Sequence, residues 1–252
     1  MRLPLTILIL ILNIGLVYSQ CLPNYGFATH QIDIDSIKIN YVDKGVGKPI
    51  LMIHGLGGNA SHWKKTIESL STTNRCIAID LPGYGGTSNV NSLESHEVLA
   101  FYAKISAQLI KSLQLKNVTV MGHSMGGQVS MILALQEPIL ISELILVAPA
   151  GLETFTENEA ALLVKYATPS LYELQDSSTI VRNYKANFYK SNTETDRLIL
   201  ERFVVKKCSS FKNYCTQIAT GVQGMLASPV KTRLHLIKQK TLIVFGENDA
   251  LI

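Results

Sequence analysis

The stretch Asn117-Val-Thr-Val-Met-Gly-His-Ser-Met-Gly-Gly127 decides the fold of this 252-residue chain. Its first part is apolar and β-branched, as in a buried strand, and its second part sets Ser124 between glycines in the frame G-x-S-x-G. Glycine two positions before the serine and again two positions after it lets a strand and the following helix pass closely. The pattern predicts that Ser124 lies on a sharp, exposed turn.

The flanking residues separate this turn from an ordinary glycine-rich turn, in which the same pentapeptide also occurs. Val118, Val120 and Met121 supply a strand before the serine. Residues 128–136 carry apolar side chains at helical spacing, and Pro138 stops that helix. Strand, turn and helix in this order are typical of a nucleophile elbow.

On these residues the chain resembles the α/β-hydrolase superfamily, and further motifs extend the resemblance over most of residues 33–252. The resemblance implies an α/β fold: a mostly parallel sheet with flanking helices and an inserted helical cap. It also implies a serine hydrolase, without naming a substrate.

Apolar runs indicate the strands of that sheet. Alternating apolar residues between Ile32 and Tyr41 predict an antiparallel hairpin at the sheet edge. The continuous run Pro49–Ile53 is typical of a central strand covered on both faces. Further apolar runs that predict strands of the sheet are Arg75–Asp80, Leu144–Ala148 and Thr241–Phe245. Residues 93–114 carry a helical stripe and predict a crossover helix.

The loop His54-Gly-Leu-Gly-Gly58 follows the first continuous run. In the superfamily, an H-G-x-G loop here supplies one backbone N–H to the oxyanion hole, and the residue after the nucleophile supplies the other. The resemblance therefore assigns these donors to Leu56 and Met125. Backbone donors suit this role because they are rigid, uncharged and able to face the developing negative charge. A plain glycine-rich turn is the other interpretation of the loop.

The segment Gly246-Glu-Asn-Asp249 follows the last apolar run. The superfamily places the acid of its triad after this strand, so the resemblance assigns Asp249, with Glu247 as the alternative acid. A surface turn without catalytic role is the remaining interpretation.

The catalytic histidine of the superfamily comes from a loop beyond the last strand, a position that would lie past Ile252. His54 and His123 belong to the motif loops, where histidines bond to backbone, and neither is predicted to be the base. The others do not match the expected position either; they are His30, His62, His96 and His235. We therefore expect a fragment of a longer hydrolase that does not turn over esters at an enzymatic rate by itself.

The motifs divide the chain into a signal peptide over residues 1–20, a hydrolase core over 31–151, a helical cap over 152–235, and a continuation of the core over 236–252, truncated before its last strand and helix. Aromatic and apolar residues of the cap either pack the cap itself, the preferred interpretation, or line an acyl pocket. They are Leu162, Leu163, Tyr166, Phe188, Tyr189, Phe203 and Phe211.

The resemblance implies acyl transfer, in which Ser124 attacks an ester carbonyl, a histidine takes its proton and Asp249 orients that histidine. No metal or organic cofactor is needed, and the expected partner is a small apolar ester. A carboxylesterase or lipase-like enzyme is favoured. The alternatives are a carbon–carbon bond hydrolase of the same fold and a non-catalytic pseudohydrolase that binds a small ligand. Epoxide hydrolases and dehalogenases are disfavoured because those families place an aspartate where this chain has Ser124.

Composition agrees with one sizeable core, because 47% of the residues are hydrophobic and 17% are charged. The net charge of +4 is spread without a long Lys/Arg run or a base-stacking motif, so no nucleic-acid partner is expected.

The first residues predict export. Arg2, an apolar run over residues 5–16 and the small Ser19 are typical of a secretory signal, with cleavage near Gln20 or Cys21. The protein is then secreted or periplasmic. An uncleaved membrane anchor is the alternative, although the run is shorter than the ~20 residues that span a bilayer. Membrane contact is expected only in that case.

An exported chain can form disulfides, and Cys208 and Cys215 are close enough in sequence to close a local loop. The spacing does not decide whether this disulfide forms, because it does not give the distance and orientation of the two Cα atoms. Cys76, inside an apolar run, is predicted to be a buried thiol.

Overall fold

A computed structural model of the protein describes residues 21–90 and 93–249. The predicted signal sequence over residues 1–20 lies outside the described residues. The described strands form one seven-stranded sheet. They are β1 (Thr29–Ile34), β2 (Ile37–Lys44), β3 (Lys48–Ile53), β4 (Asn74–Ile79), β5 (Val118–His123), β6 (Ile141–Val147) and β7 (Lys240–Val244).

The strand order is β1-β2-β4-β3-β5-β6-β7. β1 pairs antiparallel with β2, and β2 antiparallel with β4, while every pair from β4 to β7 is parallel. Met52 of β3 faces Ala78 of β4 on one side and Met121 of β5 on the other. The predicted edge hairpin and the mostly parallel sheet are both confirmed.

Side chains of the central strand alternate between the two faces of the sheet. Leu51 and Ile53 belong to the larger buried cluster, while Ile50 and Met52 belong to a second buried cluster on the opposite face. Because both faces are covered, every position of this strand favours an apolar residue, which explains its unbroken apolar run.

The helices cover these two faces and the carboxyl end of the parallel strands. They are α1 (Lys64–Leu70), α2 (Val98–Ser112), α3 (Met125–Gln136), α4 (Glu157–Tyr166), α5 (Pro169–Glu173), α6 (Ser177–Ala186), α7 (Thr193–Lys206) and α8 (Phe211–Ala227). Short 3-10 turns span Ala60–Trp63, Pro138–Leu140 and Lys231–Leu236. Helices α2 and α3 pack in the larger cluster, and Ile67 of α1 packs in the second cluster.

Helices α4 to α8 follow one another between β6 and β7. The last of them also reaches the core, since Tyr214, Cys215 and Ile218 of α8 belong to the larger buried cluster. None of the helices within residues 21–90 and 93–249 is both long and apolar enough to cross a membrane.

The cysteine pairing differs from the local loop considered above. Cys208 is bonded to Cys21, with Cα atoms 5.6 Å apart, and Cys215 is a buried free thiol. Cys208 lies between α7 and α8, whereas Cys215 is on the face of α8 that packs into the core. The two side chains therefore lie in different surroundings, although they are close in sequence. Cys76 is a buried free thiol, as predicted.

Candidate active site

Ser124 occupies the turn between β5 and α3 with φ 52° and ψ −120°. This backbone region is unfavourable for a side chain and costs roughly 1–3 kcal/mol. Two glycines make the turn possible: a Cβ at Gly122 would clash with the carbonyl oxygen of Gly126, and one at Gly126 would clash with that of Ile53. The crossing of strand and helix thus leaves no room for side chains at either position, while Ser124 projects from the bend.

Backbone hydrogen bonds hold this turn to the end of the neighbouring strand. The Ser124 N–H donates to the Val147 carbonyl at 3.1 Å, and the Ser124 carbonyl accepts from the Ala150 N–H at 3.1 Å. The same carbonyl accepts from the N–H groups of Gly127 and Gln128 at the start of α3. The conformation of Ser124 is therefore fixed from several directions.

The loop over residues 54–58 lies directly against the turn. A Cβ at Gly55 would come within 3.2 Å of Ser124 Cβ, so the two backbones are in close contact. Tyr214 of α8 donates a hydrogen bond of 2.6 Å to the Gly57 carbonyl and ties the loop to the helices above it.

The ring of His54 is buried and fixes this loop from below. Its Nδ1 lies 2.8 Å from the Gly55 carbonyl, and its Nε2 accepts from the Leu81 N–H at 3.1 Å. Burial lowers the pKa of His54 to about 3, so the ring is neutral and donates from Nδ1. His54 bonds to backbone, as predicted.

The backbone N–H groups of Leu56 and Met125 lie near Ser124. Within residues 21–90 and 93–249, neither the Leu56 N–H nor the Met125 N–H forms a hydrogen bond. Met125 is the first residue of α3, so its N–H belongs to the unpaired, electropositive start of a helix. These are the two residues to which the sequence assigns the oxyanion donors.

A cavity of about 450 Å³ opens between these loops and helices α5 to α8. Its wall brings together Leu56, Ser124 and Asp249, three of the four residues predicted for the site; Met125 is buried beneath it. The alternative acid, Glu247, is exposed and is not among the residues lining the cavity.

Two histidines also line the cavity. Partial enclosure lowers the pKa of His123, and the nearby His62 acts in the same direction, while Asp249 raises it. His62 Nε2 lies 3.7 Å from Glu201 Oε1. Within the described ranges, neither ring is hydrogen-bonded to the Ser124 hydroxyl.

The carboxylate of Glu201, on α7, holds this side of the cavity together. It accepts from Asn59 Nδ2 at 2.6 Å and from Ser61 Oγ at 2.8 Å, and it pairs with Arg197 at 3.0 Å. Burial alone would raise its pKa, but the hydrogen bond and charge of His62 and the bonds from Asn59 and Ser61 lower it to about 2. Glu201 is therefore ionised at neutral pH.

The neighbouring Arg202 also lines the cavity, although no sequence pattern pointed to it. A single arginine on an amphipathic helix ordinarily indicates a solvated face, and only the contacts of its side chain with Phe211 and Tyr214 of α8 show that this one is buried. A useful signal would have been its position on the α7 face shared with Leu198 and Ile199, which are also buried.

The predicted acyl-lining residues need a correction. Phe188 lines the cavity. Four of the other predicted residues neither line the cavity nor pack inside the cap, because they lie on outward faces of their helices or in an exposed turn. These exposed residues are Leu162, Leu163, Tyr166 and Tyr189. Helical spacing showed that the segments are apolar, but it did not show which way each face points.

Comparison with known proteins agrees with this architecture. The family model of the alpha/beta hydrolase fold matches residues 48–252. Epoxide hydrolase 2 of Caenorhabditis elegans is 25% identical over 252 residues, which cover 92% of this chain and 69% of that protein. A 2-hydroxy-6-oxononadienedioate/2-hydroxy-6-oxononatrienedioate hydrolase of Pseudomonas putida is 26% identical over 233 residues, covering 87% of this chain and 78% of that protein.

Other curated relatives match a shorter part. At 34% to 38% identity, the chain spans only about a third of their length, between 29% and 32%. Among solved structures, a thermophilic esterase from Thermogutta terrifontis with malate bound superposes with a TM-score of 0.70 at 20% identity, over 87% of this chain and 80% of that one. At this identity the likeness shows the fold alone.

Proposed function

Because the chain belongs to the alpha/beta hydrolase fold family, we propose that it is a serine hydrolase that cleaves carboxylic esters through an acyl-enzyme on Ser124. The observation that carries the proposal is the backbone of Ser124, held at φ 52° on the wall of a cavity that Leu56 and Asp249 also line. Such strain on a non-glycine residue is retained where a side chain must project into a site.

In the proposed reaction, Ser124 Oγ bonds to the ester carbonyl carbon while a histidine takes the hydroxyl proton. The carbonyl oxygen becomes an oxyanion, which the N–H groups of Leu56 and Met125 stabilise. Collapse of this intermediate breaks the bond to the alcohol, which leaves with the proton. Water then repeats the sequence on the acyl-enzyme and releases the acid. These residues need no metal or organic cofactor for the reaction.

Asp249 is proposed to orient the histidine that serves as the base. The rings of His62 and His123 line the cavity, but His62 is directed to Glu201, and the described residues place neither ring in a hydrogen bond with Ser124. The proposal therefore gives the role of base to neither of them.

A carbon–carbon bond hydrolase is the second candidate. It is supported by the 26% identity to the Pseudomonas putida hydrolase over 87% of this chain. Against it, the chain has Leu56-Gly57 after His54-Gly55 and His123 before the serine, where hydrolases of that type usually carry a Gly-Pro loop and an asparagine.

We also propose that the mature protein is exported and acts on a small ester with a largely apolar carbon chain. The disulfide between Cys21 and Cys208 supports export, because such bonds persist in oxidising compartments.

Hydrolysis of p-nitrophenyl esters of increasing acyl length tests the function. The full-length protein should release p-nitrophenol, Ser124→Ala should not, and Ser69→Ala, which alters an exposed serine of α1, should match the wild type. Cleavage of 2-hydroxy-6-oxononadienedioate, the compound for which the Pseudomonas putida hydrolase is named, with no ester turnover would favour the second candidate. Ligand binding without turnover of either substrate would favour a pseudohydrolase.

A further inference from the structure

Arg202 is a buried cation in the wall of the cavity that contains Ser124. Only 5% of its surface is exposed, and it lines both the main cavity and a smaller pocket of about 90 Å³ behind it. The guanidinium of an arginine carries a permanent positive charge in proteins, even when it is buried. The cavity therefore has a permanent positive charge on one wall.

No carboxylate among the described residues lies within salt-bridge distance of this guanidinium. Glu201 precedes Arg202 in the chain, but its oxygens are occupied by Arg197, Asn59 and Ser61. Within residues 21–90 and 93–249, Arg202 forms no salt bridge, and its buried Nη1 has no hydrogen-bond partner. A buried guanidinium without an anion is unfavourable, so its presence needs an explanation.

Aromatic rings hold the guanidinium in a fixed orientation. Its central carbon lies 4.3 Å from the ring centre of Tyr214 and 5.2 Å from that of Phe211. The Tyr214 hydroxyl is itself bonded to the Gly57 carbonyl in the loop beside Ser124. Stacking satisfies the faces of the guanidinium, while the buried Nη1 on its edge remains available to an acceptor.

We propose that Arg202 binds a carboxylate of the substrate, so that the ester cleaved at Ser124 carries a second, ionised acid group. The inference rests on the proposed ester hydrolysis. A carboxylate fits better than a phosphate, because one planar guanidinium matches one carboxylate with two parallel hydrogen bonds and a single balancing charge.

Pairs of esters that differ only in this charge test the proposal. One pair carries the group on the acyl side: the mono-p-nitrophenyl ester of adipic acid and its terminal primary amide. A second pair carries it on the alcohol side: 4-(butanoyloxy)benzoate and the matching benzamide. We expect that in one of the two pairs kcat/KM for the acid exceeds kcat/KM for the amide by about 10- to 100-fold. The acid offers Arg202 a charged hydrogen-bond acceptor, whereas the amide offers a neutral one.

Variants assign the preference to the residue. Arg202→Met should reduce the ratio of kcat/KM for the acid to kcat/KM for its amide to about one, and Arg202→Lys should retain part of the preference. Lys207→Met removes an exposed charge just after the same helix and should leave kcat/KM for both the acid and the amide unchanged. If Arg202→Met does not fold, the wild-type comparison and Arg202→Lys still decide the matter.

Binding separates this inference from the proposed function. Ser124→Ala should bind adipate, measured by calorimetry, and Ser124→Ala with Arg202→Lys should bind it at least several-fold more weakly. If neither ester is cleaved but adipate binds in this Arg202-dependent way, the ester chemistry is wrong and the carboxylate site stands. If neutral esters are cleaved with equal kcat/KM for acid and amide in both pairs, the function stands and the carboxylate site is wrong.

Discussion

Cys21 and Cys208 form a disulfide although 187 residues separate them in the sequence. The bond joins the beginning of the described chain to the turn between α7 and α8, so it fastens the helices above the cavity to the N-terminal segment. A crosslink that closes so long a loop removes much of the freedom of the unfolded chain.

Breaking this bond should lower stability. We expect Cys21→Ser with Cys208→Ser to reduce the free energy of unfolding by about 2–5 kcal/mol, measured by urea denaturation without reductant. Dithiothreitol should lower the stability of the wild type and leave the double variant unchanged. Thiol titration of the unreduced, denatured wild type should find only the two free cysteines, Cys76 and Cys215. Four reactive thiols in protein from an oxidising compartment would contradict the pairing.

Because of Glu201, the free energy of unfolding should decrease at acid pH. Its pKa is about 2 in the folded protein, below the usual value of a free glutamate, so the folded state favours the ionised form. The resulting stability, about 3 kcal/mol, is complete above the unfolded pKa and is lost as the pH falls from about 5 to about 2.

Urea denaturation across that pH range checks the sign. Glu201→Gln should be less stable than wild type at neutral pH, and the difference should shrink towards about pH 3. Glu68→Gln, at an exposed position of α1, serves as the control and should follow the wild type. A constant difference between wild type and Glu201→Gln at all pH values would contradict the role of this charge.

His54 should act as a positioning residue for the loop that carries Leu56. His54→Ala removes the ring that joins Gly55 to Leu81, so the loop loses its fixed position, and kcat for a p-nitrophenyl ester should fall by about 10² with a smaller change in KM. Because the pKa of His54 is about 3, the pH profile between about pH 5 and about pH 8 should keep its shape.

The exposed His96 provides the matched control, and His96→Ala should retain full activity. Loss of an ionisation from the pH profile of His54→Ala would show that this ring titrates during catalysis, contrary to its buried, neutral state.

Gly126 should tolerate no side chain. In Gly126→Ala the new methyl group would clash with the carbonyl of Ile53, and backbone cannot yield as a flexible side chain can. We expect a loss of about 3 kcal/mol or more in urea denaturation. Gly246→Ala is the control, because the nearest atoms to its new methyl lie 3.9 Å away, and its stability should change by less than about 0.5 kcal/mol. Equal effects of the two substitutions would contradict the tight crossing at the elbow.

Local patterns in the sequence were sufficient for the fold. Unbroken apolar runs predicted the parallel strands, alternation predicted the edge hairpin of β1 and β2, and the G-x-S-x-G frame predicted the turn at Ser124, because each depends on residues close together in the chain. The structure places Ser124, Leu56 and Asp249 on one cavity, since parallel strands end at the same edge of a sheet.

Contacts between distant segments could not be predicted in this way. The partner of Cys208 is 187 residues away, and no spacing indicates it. Arg202 and Glu201 acquire their surroundings only when α7 packs against α8 and the loop at Asn59, so their burial has no local signature. The exposed Leu162 and Tyr166 show the converse, because an apolar helix does not reveal which face will be covered.

Labelling with a fluorophosphonate probe tests the central claim most directly, because the probe reacts with a serine activated for nucleophilic attack. Intact-mass spectrometry of the full-length protein should show one adduct, and peptide mapping should place it on Ser124. Ser124→Ala should remain unlabelled under the same conditions, while Ser69→Ala labels as the wild type does. An adduct that persists in Ser124→Ala, or that maps to another serine in the wild type, would contradict the account.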